Sequence, residues 1–225
     1  MSFSILIPAR GGSKRIPNKN IVNLCGKPLI YYVIKESLMI TKNVFVSTDS
    51  IEIKEVSKQH GAFVIDRPNH LSNDTSTTNS VISHFLQDRN IEYFACVQPT
   101  SPLLKSKYMF HGIEKIKHMG YDSVISVYKD KQFYWNKEGV PINFNLGRKP
   151  RTQDMPEWYV ENGAFYITSK KNFLKEDKLV RGKVGFVEMP KMDSIDIDEY
   201  QDLEIARVFM KYRCDTPPEE LKNEF

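Results

Sequence analysis

The chain has 225 residues, 40% of them hydrophobic and 27% charged, with a formal net charge of +4. That is enough apolar material for one buried α/β core and excludes a disordered chain. The mild positive charge suits phosphate or carboxylate ligands and does not demand nucleic acid. Three cysteines without paired spacing, Cys25, Cys96 and Cys214, argue against a disulfide framework or a zinc site and for a reducing, cytoplasmic setting. No apolar run approaches the roughly 20 residues of a membrane helix, and Arg10 interrupts the apolar start too early for a secretory leader.

Residues 3–7 read as a buried strand, and a polar loop over 10–20 follows at once. Leu29, Ile30, Val33, Ile34 and Leu38 then have helical spacing. Residues 43–47 read as a strand, and 50–59 as a helix capped by Asp49 or Ser50. A short strand over 62–65 precedes a helix over 75–87, whose Val81, Ile82, Phe85 and Leu86 share a face. Next come a strand over 93–97, a helix over 106–118 and a strand over 123–127. This alternation predicts an α/β fold with a mostly parallel sheet and helices on both faces. The rhythm breaks over about 129–163, where aromatics, prolines and charges show no helical period. We read that stretch as an inserted arm within a single domain spanning 1–225. Pattern returns at 164–167, at 184–189 and in a last helix around 200–211. A tail over about 214–225 is expected to lie exposed.

Two groups of residues carry chemistry. Ala9-Arg10-Gly11-Gly12-Ser13-Lys14-Arg15 follows the first strand directly, and parallel α/β sheets bind ligands at the carboxyl ends of their strands. The glycines let backbone approach a phosphate, and Arg10, Lys14, Arg15 and Lys19 supply the charge a triphosphate needs. The spacing matches neither the kinase-type phosphate loop nor the dinucleotide fingerprint. On charge and glycine alone, a solvated basic turn is an equal alternative; the position favours a ligand. The second group is Asp196 and Asp198. Residues two apart in an extended segment point to the same side. Their carboxylates could meet on one Mg²⁺, which takes one or two carboxylates plus substrate phosphates. A solvated strand edge is the bland alternative, and Asp193 and Glu199 compete for the role.

The segment from Ile7-Pro8-Ala9-Arg10-Gly11-Gly12-Ser13 to Lys14-Arg15-Ile16-Pro17-Asn18-Lys19-Asn20-Ile21 resembles the opening loop of the acylneuraminate cytidylyltransferases. Five further stretches are similar to that family in the same order: Val46-Ser47-Thr48-Asp49; Arg67-Pro68 with Leu71-Ser72 and Asp74-Thr75-Ser76; Gln98-Pro99-Thr100-Ser101-Pro102; Arg151-Thr152-Gln153-Asp154 with Glu161-Asn162-Gly163-Ala164-Phe165-Tyr166; and Ser194-Ile195-Asp196-Ile197-Asp198. The resemblance spans about residues 3–210.

It implies a Rossmann-like nucleotidyltransferase fold with a dimerisation arm, a homodimer, Mg²⁺ held by Asp196 and Asp198, and no nucleic-acid or membrane partner. The implied reaction joins CMP from CTP to a nine-carbon 2-keto-3-deoxy acid sugar, N-acetylneuraminate or a relative such as legionaminate. The anomeric hydroxyl attacks the α-phosphate and pyrophosphate leaves. By resemblance, Arg10 and Lys14 hold the phosphates and Lys19 the reacting α-phosphate. Ala9, Gly12, Ser13, Asn20, Arg67, Thr78 and Gln98 then line the nucleotide. Arg148, Lys149 and Arg151 would clamp the sugar carboxylate, with Gln153, Asn162 and Phe165 shaping its pocket. Phe133, Tyr134, Trp135, Trp158 and Tyr159 suit an interface or a local core equally. Thr152 departs from some sialate enzymes, which carry a second arginine there. Pseudaminate and 3-deoxy-manno-octulosonate are the alternative sugars. A non-catalytic module binding nucleotide or RNA is the alternative class, and it would not need the acid pair.

Overall fold

A strand buried on both faces needs an apolar residue at nearly every position, and Phe3-Ser4-Ile5-Leu6-Ile7 supplies it. In the computed structural model, which describes residues 2–215, this run is β1 (Phe3–Pro8), an interior strand of a seven-stranded sheet. The other strands are β4 (Val44–Thr48), β5 (Phe63–Asp66), β6 (Tyr93–Val97), β7 (Ser123–Asp130), β8 (Trp158–Ser169) and β9 (Val184–Glu188), and a two-stranded turn pairs β2 (Asn23–Leu24) with β3 (Lys27–Pro28). The sheet order is β5-β4-β1-β6-β8-β7-β9. Only β8 runs against its neighbours, pairing antiparallel with β6 and β7. The predicted mostly parallel sheet is therefore observed, with one reversed strand inserted between β6 and β7.

Helices cover both faces. α1 (Leu29–Leu38), α2 (Ile51–Gln59) and α4 (Ser106–His118) pack Ile30, Val33, Ile34, Ile53, Met109 and Ile113 into one core layer. α3 (Thr78–Leu86) and α5 (Lys170–Glu176) bring Val81, Ile82, Phe85, Leu86 and Phe173 to the other. Ser50 caps α2, accepting from the Ile53 N–H, and Thr77 caps α3. A third, smaller core joins the ends of the chain. Ile16, Leu24 and Leu29 pack with Ile197 and with Leu203 and Ala206 of α6 (Tyr200–Asp215).

Two boundaries differ from the sequence reading. β7 continues to Asp130, and β8 begins at Trp158, with Val127 opposite Glu161 and Asp130 opposite Trp158. The irregular excursion is therefore 131–157, standing on a two-stranded stem. α5 had no counterpart in the sequence reading. It is seven residues long and buries a single large side chain, Phe173. The expected tail falls outside the described residues apart from its first two. Among the described residues, no helix is long and apolar enough to cross a membrane. Cys25 is exposed and free, while burial raises the Cys96 thiol to about 12, so it stays protonated.

Candidate active site

β1 delivers the cationic loop onto the carboxyl edge of the sheet. Gly11 lies against the turn after β4: an added Cβ would stand 3.2 Å from the Ser50 Cβ. Its N–H donates to the Asp49 carboxylate at 2.9 Å. Gly12 has φ of +66°, a conformation L side chains rarely adopt. The buried Asn20 donates its amide to the Arg10 carbonyl at 2.9 Å, fixing the start of the loop to its end. Asn20 thus acts first as an internal brace.

The aspartate segment arrives from the other end of the chain. The Ile197 N–H donates to the Thr100 carbonyl at 2.9 Å, and its side chain is buried beside Ile16. With Ile197 turned inward, its flanking acids face out towards the cationic loop. Asp198 accepts from Lys19 Nζ at 2.9 Å and lies 3.2 Å from Arg15 Nη1. The Lys19 hydrogen bond, above all, holds Asp198 below the usual carboxylate value, as the charge of Arg15 also does. Asp196 is pushed the other way. Its side chain opens to solvent on one side, but the protein packed around it raises it, a hydrogen bond from Thr100 opposes the rise, and the Asp198 charge adds to it. The loop and the two acids therefore meet, although 179 positions separate Lys19 from Asp198.

Among the described residues, no three His, Cys, Asp or Glu side chains gather to hold a metal. Two carboxylates close enough to raise the pKa of one of them do fit a hard divalent cation that completes its shell from water and phosphate.

Arg67 sits deeper, 7% exposed. It donates through Nη2 to the Ser47 carbonyl at 2.7 Å and through Nε to the Ser47 hydroxyl at 3.1 Å. Burial lowers its pKa, and the Asp49 charge partly restores it. Gln98, half-buried at the end of β6, reaches the Cys96 sulfur at 3.9 Å. Ser13 is half-buried in the first loop, and Thr78 is exposed in the first turn of α3.

Three more of the expected contact residues have buried side chains. Phe165 is 0% exposed and packs in the core layer under α4, where Gly112 leaves room for its ring. Strand parity sends it away from the face that carries Cys96, and it turns Tyr166 onto that face instead. Tyr166 is raised by burial and donates to Glu161. The Ala9 methyl is also fully buried, with its N–H given to the Ser47 carbonyl. Asn162 is buried, donating to the Ser194 hydroxyl at 2.8 Å and accepting from the Ala164 N–H, so it braces the aspartate segment.

Arg151 and Gln153 are exposed on the excursion. Arg151 pairs with Asp154 at 2.7 Å and lies 3.2 Å from the Gln153 amide. They are not gathered with the cationic loop.

The sequence reading placed Asp49 and Asp74 within stretches that resemble the family but gave neither a role in the site. Asp74 lies 2.9 Å from Arg10 Nη1 and also binds Lys14 Nζ. A groove of about 730 Å³ between α3 and α5 is lined by His70, Ser83, His84 and Lys170 among others and by neither of these acids.

The cytidylyltransferase family description matches residues 4–218. The chain is 39% identical over 211 residues to N-acylneuraminate cytidylyltransferase B of Danio rerio, covering 89% of this chain and 49% of that protein. It is 35% identical over 222 residues to a pseudaminic acid cytidylyltransferase of Campylobacter jejuni, covering 92% and 95%. The chain spans about half the length of the Danio rerio relatives and nearly all of the Campylobacter jejuni one. In fold it is similar to a CMP:2-keto-3-deoxy-manno-octonic acid synthetase complexed with CTP, with a TM-score of 0.70, 16% identity and coverage of 95% and 100%. It is also similar to a 4-diphosphocytidyl-2C-methyl-D-erythritol synthase from Anaerococcus prevotii, with a TM-score of 0.64, 13% identity and coverage of 93% and 98%.

Proposed function

Since the chain belongs to the cytidylyltransferase family, we propose that it makes a CMP-sugar and pyrophosphate from CTP and a nine-carbon 2-keto-3-deoxy acid of the N-acetylneuraminate type. One observation carries this reading: Lys19 and Arg15 converge on Asp198 at the carboxyl edge of the sheet, so that cations for a triphosphate and acids for its metal share one place. An anionic polyphosphate would lie along Arg10, Lys14 and Arg15, with its α-phosphate against Lys19. The anomeric hydroxyl attacks the α-phosphorus as the bond to the β-phosphate breaks. Negative charge grows on the phosphate oxygens, and Lys19, fixed in place by Asp198, is already oriented to stabilise it. Arg67, buried and hydrogen-bonded among the described residues to Ser47 rather than to a carboxylate, offers a further fixed positive charge near Asp49.

Asp196 and Asp198 would hold Mg²⁺, which when bound supplies charge neutralisation at the phosphate oxygens. Arg148, Lys149 and Arg151 on the excursion suit the sugar carboxylate, and Gln98 and Tyr166 suit its hydroxyls. The exposed Trp135, Trp158, Tyr159 and Phe186 would be covered in a homodimer, and a cytoplasmic setting fits the free Cys25.

Pseudaminate is the second reading. It is favoured by the Campylobacter jejuni relative, which matches this chain over almost its whole length. The test is a pyrophosphate-release assay pairing each nucleoside triphosphate with N-acetylneuraminate, legionaminate, pseudaminate and the eight-carbon acid, with and without Mg²⁺. Release only with CTP, a nine-carbon acid and Mg²⁺ supports the proposal. Release with no acid sugar in the panel rejects it.

A further inference from the structure

The four loop cations are neutralised in two pairs. Asp198 takes Lys19 and Arg15, and Asp74 takes Arg10 and Lys14. The two acids differ in setting. Asp198 faces a Lys19 only 17% exposed and belongs to a segment anchored in the third core. Asp74 stands on the loop between β5 and α3, where all three members of its cluster are solvent-accessible.

That loop is organised without it. The Asn73 side chain accepts from the Thr75 N–H, the Thr75 hydroxyl and the Ser76 hydroxyl, and donates to the His70 carbonyl. The Asp74 carboxylate is bonded only to the two cations among the described residues. Exposed ion pairs add little to stability, so this one is easily exchanged for a stronger anion. A polyphosphate reaching Arg10 and Lys14 meets a carboxylate of its own sign between them.

We propose that Asp74 is a resident competitor for polyphosphate. It occupies Arg10 and Lys14 in the empty site, is displaced when a triphosphate binds, and returns to help expel pyrophosphate. A nucleoside monophosphate held at Lys19 alone does not meet this competition. The inference rests on the proposed phosphate role of Arg10 and Lys14, and the test separates the two.

Binding of CTP, pyrophosphate and CMP is measured by calorimetry on the full chain without Mg²⁺, for wild type, Asp74→Asn and Asp74→Ala. Wild-type binding of CTP checks the nucleotide site itself. Both variants are expected to bind CTP and pyrophosphate up to about fivefold more tightly, the scale of one exposed ion pair, with CMP unchanged. The gain should shrink at high salt. Unchanged or weaker pyrophosphate binding in both variants, with unaltered melting temperatures, would overturn the proposal. An equal gain for CMP would overturn it too, since that marks a general charge effect.

Discussion

The cationic loop after β1 and the excursion over 131–157 are both rich in positive charge, but they are organised in opposite ways. In the loop, the cations are bound by carboxylates from distant parts of the chain: Asp74 on Arg10 and Lys14, Asp198 on Arg15 and Lys19. On the excursion the partners are local. Arg151 pairs with Asp154 three residues on, and Lys149 lies over the Phe133 and Phe144 rings. The Lys19 end of the loop is therefore set in position by the fold before any ligand arrives, while Asp74 only occupies Arg10 and Lys14 until one does. The excursion has its own small structure, and among the described residues the ionic contacts of those cations do not reach the acids of the cleft. Preorganised groups are the ones that can stabilise a transition state without first rearranging. The loop should accordingly govern turnover, and the excursion should govern capture of the sugar.

The largest expected effect tests the loop side. Asp196→Ala should lower turnover by about 10³-fold while CTP binding survives, read by pyrophosphate release and by calorimetry. A variant that turns over normally would remove the acid pair from the mechanism. Lys19→Met comes next, with a loss of about 10²-fold in kcat and little change in KM for the sugar. The excursion side predicts the reverse pattern for Arg151→Ala. There KM for the acidic sugar should rise about 10-fold, the scale of a hydrogen bond between charged groups, while KM for CTP stays put. A fall confined to kcat would erase the contrast between the two regions.

The smallest effect is on stability. Asp196 is raised above 3.8 in the folded protein, so its charge disfavours folding at neutral pH. Stability from this group grows as pH falls from above its folded value towards 3.8. Asp198 is depressed, so its contribution is complete above 3.8 and is lost as pH falls below that through its folded value. In metal-free protein at pH 7, Asp196→Asn should melt slightly higher and Asp198→Asn lower. The Asp196→Asn difference should close as pH approaches 3.8, and the Asp198→Asn difference only below it. Equal shifts for both would contradict the opposite settings described for the two acids.

Most of the frame was legible from local pattern. β6 (Tyr93–Val97) and α4 (Ser106–His118) have the bounds that the sequence suggests, because Gln98-Pro99 stops the strand and an amphipathic run follows. The stem of the excursion was hidden, since Lys129 and Glu161 are polar positions on strands whose pairing gives them partners across the stem. For Asp196 and Asp198 the spacing alone left a solvated strand edge as the alternative, and it was the resemblance of the flanking Ser194-Ile195 and Ile197 that singled them out. Resemblance names the stretch over 161–166 but not its parity: the pleat buries Phe165 in one core layer and turns its neighbour Tyr166 to the other face. Asp49 and Asp74 lie in stretches that the resemblance names, but nothing in their local sequence marks their carboxylates as site groups. What makes them part of the site is a partner on another loop, 38 residues away for Asp49 with Gly11 and 60 for Asp74 with Lys14.

The small core that packs Ile16 and Leu24 against Ile197, Leu203 and Ala206 has a consequence for biosynthesis. At about 5–20 residues per second, a ribosome would take roughly 10–40 s to travel from Lys19 to Asp198. Throughout that interval the nascent chain displays a basic segment whose Asp198 counter-ion has not yet been made. The pairing waits until the segment around Asp198 has been made, and a chain broken off before Asp196 would have the sheet largely specified but no acid pair to oppose the lysine.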